Sequence, residues 1–301
     1  MTGEWLALVV ARWLNFTAVA GLMGMALFSV YAPSEGRRAF LAQPATARLF
    51  VAGGALALIS TLAWAAGALV TMTGDPSSLW EAGDWSAFLF ETSFGSAWVA
   101  RIMLGVLMTT IVVATRGRSA FAVIVALAAG LLFSQAWVGH VASIAVPIRW
   151  AITIAYALHV WGAAVWFGGL ICLLLVMTGS RRLAPLERKS LELVLERFSS
   201  VGLAAVLAIL FGGAINVAAH GIPWPSMLLD SGWGRMLLVK LALVAAMIAL
   251  ACVNRFLLMP RLSRGEASAF PALLRSVVFE QVLAVTVLAV TATLGILDPS
   301  N

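Results

Sequence analysis

Charge is scarce in this sequence. Asp, Glu, Lys and Arg make up 11% of its 301 residues, 62% are hydrophobic, and mean hydropathy is +1.01. Soluble domains carry roughly twice that share of charge, so this composition excludes an ordinary soluble globule and leaves a polytopic membrane protein. Histidine is scarcer still: only His140, His159 and His220. The two cysteines, Cys172 and Cys252, both lie inside apolar runs and form no CxxC pair, so a structural disulfide is not expected. No GxxxxGK[ST] phosphate loop and no CxxCH occur, which excludes a nucleotide-driven pump of that type and covalently attached haem. The net charge of +6 does not point to nucleic acid, because the basic residues cluster in short connections between apolar runs.

Apolar runs, by contrast, are abundant. A spanning helix needs about 20 mostly apolar residues. Eight segments qualify: residues 5–31, 47–72, 96–115, 119–138, 150–178, 198–218, 233–259 and 274–297. The expected fold is all-α, a transmembrane bundle forming one integral-membrane domain over residues 1–301. The first run has no basic stretch before it and is broken early by Arg12, so it reads as a spanning helix and not as a leader. Fourteen of the 19 Lys and Arg lie in the odd connections: Arg37, Arg38 and Arg48; Arg116 and Arg118; Arg181, Arg182, Arg188, Lys189 and Arg197; Arg255, Arg261, Arg264 and Arg275. By the positive-inside rule these connections are cytoplasmic and both termini lie on the outer side.

The longest outer connection, residues 73–95, holds Asp75, Ser77 and Ser78, suited to cap a short helix. Its Trp80, Trp85, Phe88 and Phe90 suit a segment lying on the headgroups. Residues 179–197 mix charge with leucine, which predicts an amphipathic extension of the sixth span against anionic lipid.

The candidate functional stretch is HVWGAAVWFGGL, His159 to Leu170. On a helix, His159, Gly162, Ala163, Trp166 and Leu170 share a face, so small residues admit a neighbouring helix beside the imidazole. A histidine at hydrocarbon depth needs a hydrogen bond, a partner or a ligand. One hydrogen bond to a neighbouring carbonyl would suffice. Yet all three histidines map to the outer half or its rim, His159 about 13 Å deep at 1.5 Å per residue. That shared level favours a metal, since imidazole suits copper, zinc, iron and nickel. On the sixth span Gly212, Asn216 and His220 form a stripe at spacings of four.

Other polar groups lie inside the runs: Arg12, Asn15, Arg101, Arg235 and Lys240 in the outer half, and Glu280 near the cytoplasmic end. They are expected to snorkel or to pair between helices, with Glu91, Asp230 and Asp298 as available carboxylates. Cys172 and Cys252 lie at similar depth and could form a thiolate exit site, and Met72 and Met227 could add thioethers.

HVWGAAVWFGGL, with RFSSVG at 197–202, SGWGRMLLVKLALV at 231–244, NRFLLMPRL at 254–262, RSVVFE at 275–280 and the closing LDP, resembles the copper-resistance protein D family of bacterial inner-membrane proteins. The likeness is closest over residues 156–300. It implies copper handling at the inner membrane, uptake from the periplasm, and a separate periplasmic partner of the copper-resistance protein C type. It points to His140, His159 and His220 as metal residues, and to Lys240, Asn254, Arg255 and Glu280 as family positions of structural role, to which the intramembrane Arg101 is added. The expected function is non-enzymatic copper transport without ATP, with Asn216, Trp166, Met72, Met227, Cys172 and Cys252 along the path. The copper oxidation state is left open. A non-covalent haem protein for electron transfer, with His140 and His220 as axial ligands, and a copper-binding sensor or scaffold are the alternatives.

Overall fold

The computed structural model describes residues 3–114, 118–138, 148–179, 185–219 and 229–297. Among them there is no strand, and eight helices are long and apolar enough to cross a membrane. In hydrocarbon every backbone N–H and C=O must be satisfied within the protein, which is why runs of this composition become helices. The chain runs α1 (Gly3–Tyr31), α2 (Ser34–Ala42), α3 (Pro44–Thr73), a 3-10 turn (Pro76–Trp80), α4 (Ala82–Phe90), α5 (Gly95–Ala114) and α6 (Arg118–Ser134), extended by a 3-10 turn to Val138. The second half runs α7 (Ile148–Gly179), α8 (Pro185–Ala219), α9 (Gly232–Val253), a π turn (Asn254–Leu258), α10 (Met259–Ser263) and α11 (Ala269–Leu294).

Helix ends follow local chemistry. Pro44 opens α3, where its missing N–H costs nothing, and Gly74 closes it in the left-handed region at φ 71°. The Ser231 hydroxyl accepts from the Gly234 N–H at 2.9 Å and starts α9. The π turn directly precedes Pro260, whose ring cannot donate to the carbonyl four residues back, and the Met259 N–H reaches the Asn254 carbonyl instead.

Successive spans return the chain to opposite sides. The face that carries Arg37, Arg38, Arg48, Arg261 and Arg264 is termed the basic face, and the opposite one the terminal face. Helix α1 is the hub, packing against α3 and α6 of the first half and against α7 and α11 of the second. Its crossing with α7 is backbone to backbone: a Cβ on Gly24 would overlap the Ala164 carbonyl and lie 2.6 Å from Gly168 Cα. Close approach of this kind is how helices associate in lipid, where apolar surface alone gives little preference for protein over solvent.

Span boundaries agree with expectation to a few residues, with two exceptions. Helix α8 starts at Pro185, so the amphipathic extension is continuous with the span, and its Leu191, Val194 and Leu195 are buried. The short helix α2 was not anticipated; it is tucked against α7 and α8, with Phe40 fully buried. In the 74–94 connection Asp75 caps the 3-10 turn, accepting from Ser77 N at 2.8 Å and Ser77 Oγ at 2.7 Å. These hydrogen bonds hold its carboxyl below the usual range. Trp80 and Phe90 are exposed as expected of a headgroup-facing segment, but Phe88 is fully buried against Phe94 and Trp98, so it anchors the segment to α5.

Candidate functional site

Helix α8 lies on the face of α7 that carries His159, and glycine makes the approach possible. A Cβ on Gly212 would overlap the Ala155 carbonyl and stand 2.9 Å from His159 N and 3.0 Å from His159 Cβ; one on Gly213 would stand 3.0 Å from Nδ1. Gly162, one turn along α7, meets Ala205 and Ile209 in the same way. The imidazole is thereby set against the α8 backbone, with Nδ1 2.8 Å from the Ile209 carbonyl oxygen. A carbonyl only accepts, so Nδ1 carries the proton and the lone pair of the neutral ring is on Nε2. Among the described residues nothing is hydrogen-bonded to Nε2. The single carbonyl bond anticipated from sequence is therefore present, and it is also the bond that orients a metal-binding imidazole. The ammonium of Lys240, on α9, is close enough to act on the ring electrostatically.

Seven residues further along α7, about 10 Å at 1.5 Å per residue, lies a second polar level. Trp166 is buried there, with its indole close to Glu280 on α11. The Asn254 amide of the π turn donates to Glu280 Oε1, and both residues are buried. Glu280 stands eleven residues into a 26-residue helix, near the middle of α11. Arg255 turns away from this pair and donates to Ser199, at 3.1 Å to the carbonyl and 2.8 Å to Oγ.

The first half holds a third cluster. Arg101 is fully buried. It donates to the Leu131 carbonyl at 3.0 Å, Ser134 Oγ at 2.9 Å and Asn15 Oδ1 at 3.1 Å. The Asn15 amide donates in turn to the Ala57 carbonyl, Ser60 and Thr61. The Arg101 guanidinium sits 4.6 Å from the Trp64 ring centre and that of Arg12 4.8 Å from the same ring. Arg101 therefore neither snorkels nor pairs with a carboxylate: among the described residues the ion pairs are Arg261 and Arg264 with Glu266, and neither Glu91 nor Asp230 joins one.

Family models match both halves of the chain: the N-terminal domain of copper resistance protein D-like proteins over residues 1–146, and copper resistance protein D over residues 192–294. The inner membrane protein YebZ of Escherichia coli strain K12 is 30% identical over 98% of this chain and 98% of its own. The chain belongs to the copper resistance protein D family. Copper resistance protein D of Pseudomonas syringae pv. tomato is 29% identical over 97% and 96% of the two chains, and the copper transport protein CutJ of Bacillus subtilis strain 168 is 31% identical over 55% of this chain and 31% of its own. No solved structure matches. Within this copper resistance protein D relative, the His159 stretch falls between the two matched segments, while the full-length alignments run across it.

The other expected site residues are dispersed. His140, His220 and Met227 lie outside the described residues, and with them the haem arrangement that needs His140 and His220. Asn216, one turn beyond Gly212, has an interaction of its own. Met72 is exposed at the end of α3; Cys172 is fully buried in the core, whereas Cys252 is exposed on α9, so the two thiols face different surroundings. Among the described residues no three His, Cys, Asp or Glu come together. Sequence reasoning had left Asn254 and Glu280 as structural positions; the π turn ahead of Pro260 was the local signal that the helix is irregular there.

Proposed function

We propose that this multi-pass inner-membrane protein takes copper from the periplasmic side and moves it across the membrane without ATP hydrolysis, with His159 Nε2 as its intramembrane ligand. In this reading both termini and the terminal face are periplasmic, the basic face is cytoplasmic, and His140 and His220 receive the metal at the mouth. Copper is cargo, and no chemical transformation is assigned to the protein. A separate periplasmic copper-binding protein of the copper-resistance protein C type is the donor. Family membership supports the metal, and the observation that carries the ligand is the Nδ1 bond to Ile209, which leaves Nε2 oriented and unbonded at depth.

Transport is favoured over storage by Lys240. Its ammonium acts on His159, so a cation at Nε2 meets a repulsive field and is held briefly. An inside-negative potential favours inward movement by about 2.3 kcal/mol per charge per 100 mV, enough to drive passage once a ligand lowers the barrier. The test is copper uptake into proteoliposomes. His159→Ala is expected to reduce it by about 10-fold or more, and uptake equal to wild type would refute the assignment.

A further inference from the structure

The Glu280–Asn254 pair has chemistry that a structural role leaves unexplained. Glu280 is 2% exposed near mid-depth, yet among the described residues no cation pairs with it. Its hydrogen-bond partner is a neutral donor, the Asn254 amide, with the Trp166 indole nearby. A bare carboxylate in that setting is a buried, uncompensated charge. Asn254 Oδ1, meanwhile, is buried and has no donor, as is Ser276 Oγ, one turn before Glu280 on α11. The uncompensated charge and the Asn254 deficit both vanish if the carboxyl is the neutral acid. Its second oxygen then donates O–H to Asn254 Oδ1 while the Asn254 amide donates to Oε1, a cyclic acid–amide pair with both partners satisfied. The π turn is what brings Asn254 to face α11 at this level.

We infer that Glu280 is a proton-carrying site, a buried carboxylic acid paired with Asn254, that exchanges its proton for the charge of copper passing from His159. This rests on the transport reading above. The geometry that motivates it is the alignment of both levels along α7, with Trp166 below His159 and against Glu280. When one singly charged copper ion comes level with the pair, the carboxyl O–H bond breaks, the proton passes to water, and the carboxylate neutralises the ion without a change of oxidation state. When the ion leaves, the acid takes up a proton again. The net charge of the site is unchanged throughout. One carboxyl balances one charge, which selects Cu(I) over Cu(II) as the ion that passes. The groups facing Glu280 are Trp166 from α7, Asn254 from the π turn and Ser276 on its own helix. No charged group of α1, α7 or α9 acts on it, and Arg255 is engaged with Ser199.

Infrared difference spectroscopy on the full chain in lipid, with copper uptake and internal pH followed in proteoliposomes, tests this. At neutral pH the wild type is expected to show a protonated-carboxyl C=O band that Glu280→Gln lacks and that Asn254→Leu shifts. Gln at position 280 keeps a cyclic amide pair, so the fold is retained. Added Cu(I) should bleach the band, with one proton released for each ion held at the site. In Glu280→Gln uptake should fall roughly 100-fold, because nothing offsets the ion's charge at mid-depth, while copper binding to the detergent-solubilised protein persists. Absence of the band from the wild type, its persistence in Glu280→Gln, or undiminished uptake by that variant would overturn the assignment. Wild-type vesicles that take up no copper would defeat the transport reading and the exchange with it, while the band would still decide whether the acid–amide pair exists.

Discussion

Substituting glycines on α8 separates the seat of His159 from the fold at large. At Gly212 an added Cβ meets backbone, the Ala155 carbonyl and the His159 nitrogen, together with His159 Cβ. None of these atoms can rotate aside, so Gly212→Ala must push α8 away from α7. Overpacking of this kind costs about 1–3 kcal/mol, and loss of an intramembrane hydrogen bond such as His159 to Ile209 adds about 0.6 kcal/mol. The helix preference for Ala over Gly returns up to about 1 kcal/mol, so the net destabilisation is about 0.6–2.6 kcal/mol. At Gly213 the added methyl meets only the imidazole, at 3.0 Å from Nδ1 and 3.1 Å from Cε1. The ring can give a few tenths of an ångström, so Gly213→Ala should leave stability near wild type and misdirect Nε2. Gly202, on the same helix, has nothing within 4 Å of an added Cβ and serves as the control. Thermal unfolding in lipid nanodiscs should rank Gly202→Ala at or above wild type, Gly213→Ala close to it and Gly212→Ala clearly below. Copper uptake should fall in both Gly212→Ala and Gly213→Ala and be unchanged in Gly202→Ala. Equal melting of the Gly202 and Gly212 variants would refute the packing argument. Full uptake by Gly213→Ala would refute the claim that the orientation of the ring matters.

Two further outcomes follow from groups away from the path. Arg101→Met leaves Asn15 Oδ1 and Ser134 Oγ without their donor, leaves the Leu131 carbonyl with the Ser134 hydroxyl alone as side-chain donor and removes two aromatic contacts, so chemical denaturation should report a loss of about 3 kcal/mol. Arg101→Lys should recover only part of it, because an ammonium cannot span three acceptors as a guanidinium does. Glu266, exposed between α10 and α11, is held below the ordinary carboxylate range by hydrogen bonding to Arg261, with Arg264 adding to it. Its folded-state value is the depressed one, so the ties are complete above pH about 4–5 and fade as pH falls through the lowered value. Hydrogen exchange in residues 264–268 should quicken over that acid range in wild type and be pH-independent, apart from intrinsic exchange chemistry, in Glu266→Gln.

The spans were legible because hydrocarbon imposes a single solution on long apolar runs, and the His159 stretch was legible because a polar ring at depth demands a partner. What the sequence hid was direction. Arg101 and Glu280 read alike, as charges to be paired or carried to an interface, since spacing along one helix does not say which neighbour it faces. Arg101 is surrounded by the ends of α6, by Asn15 of α1 and by Trp64 of α3, contacts between residues 30 to 86 positions apart. Glu280 meets Asn254 at a π turn ahead of Pro260, where the helix departs from regular geometry. The cue to α2 was weaker still, a nine-residue segment whose one fully buried side chain is Phe40.

The Arg101 cluster and the His159 level differ in what their polar groups leave open. In the first half Asn15 is used by Arg101, Ser60, Thr61 and the Ala57 carbonyl, and both guanidinium groups lie against the Trp64 ring. Two cations covered by one aromatic ring present no ligand to a metal ion and would repel one, so this cluster braces the bundle. In the second half, His159 Nε2 remains unbonded on α7, while Asn254 Oδ1 is left to the acid form of Glu280. Atoms with free lone pairs, not atoms with free protons, are what a passing cation needs. Helix α1 joins the two arrangements through the Gly24–Gly168 crossing, two residues beyond Trp166.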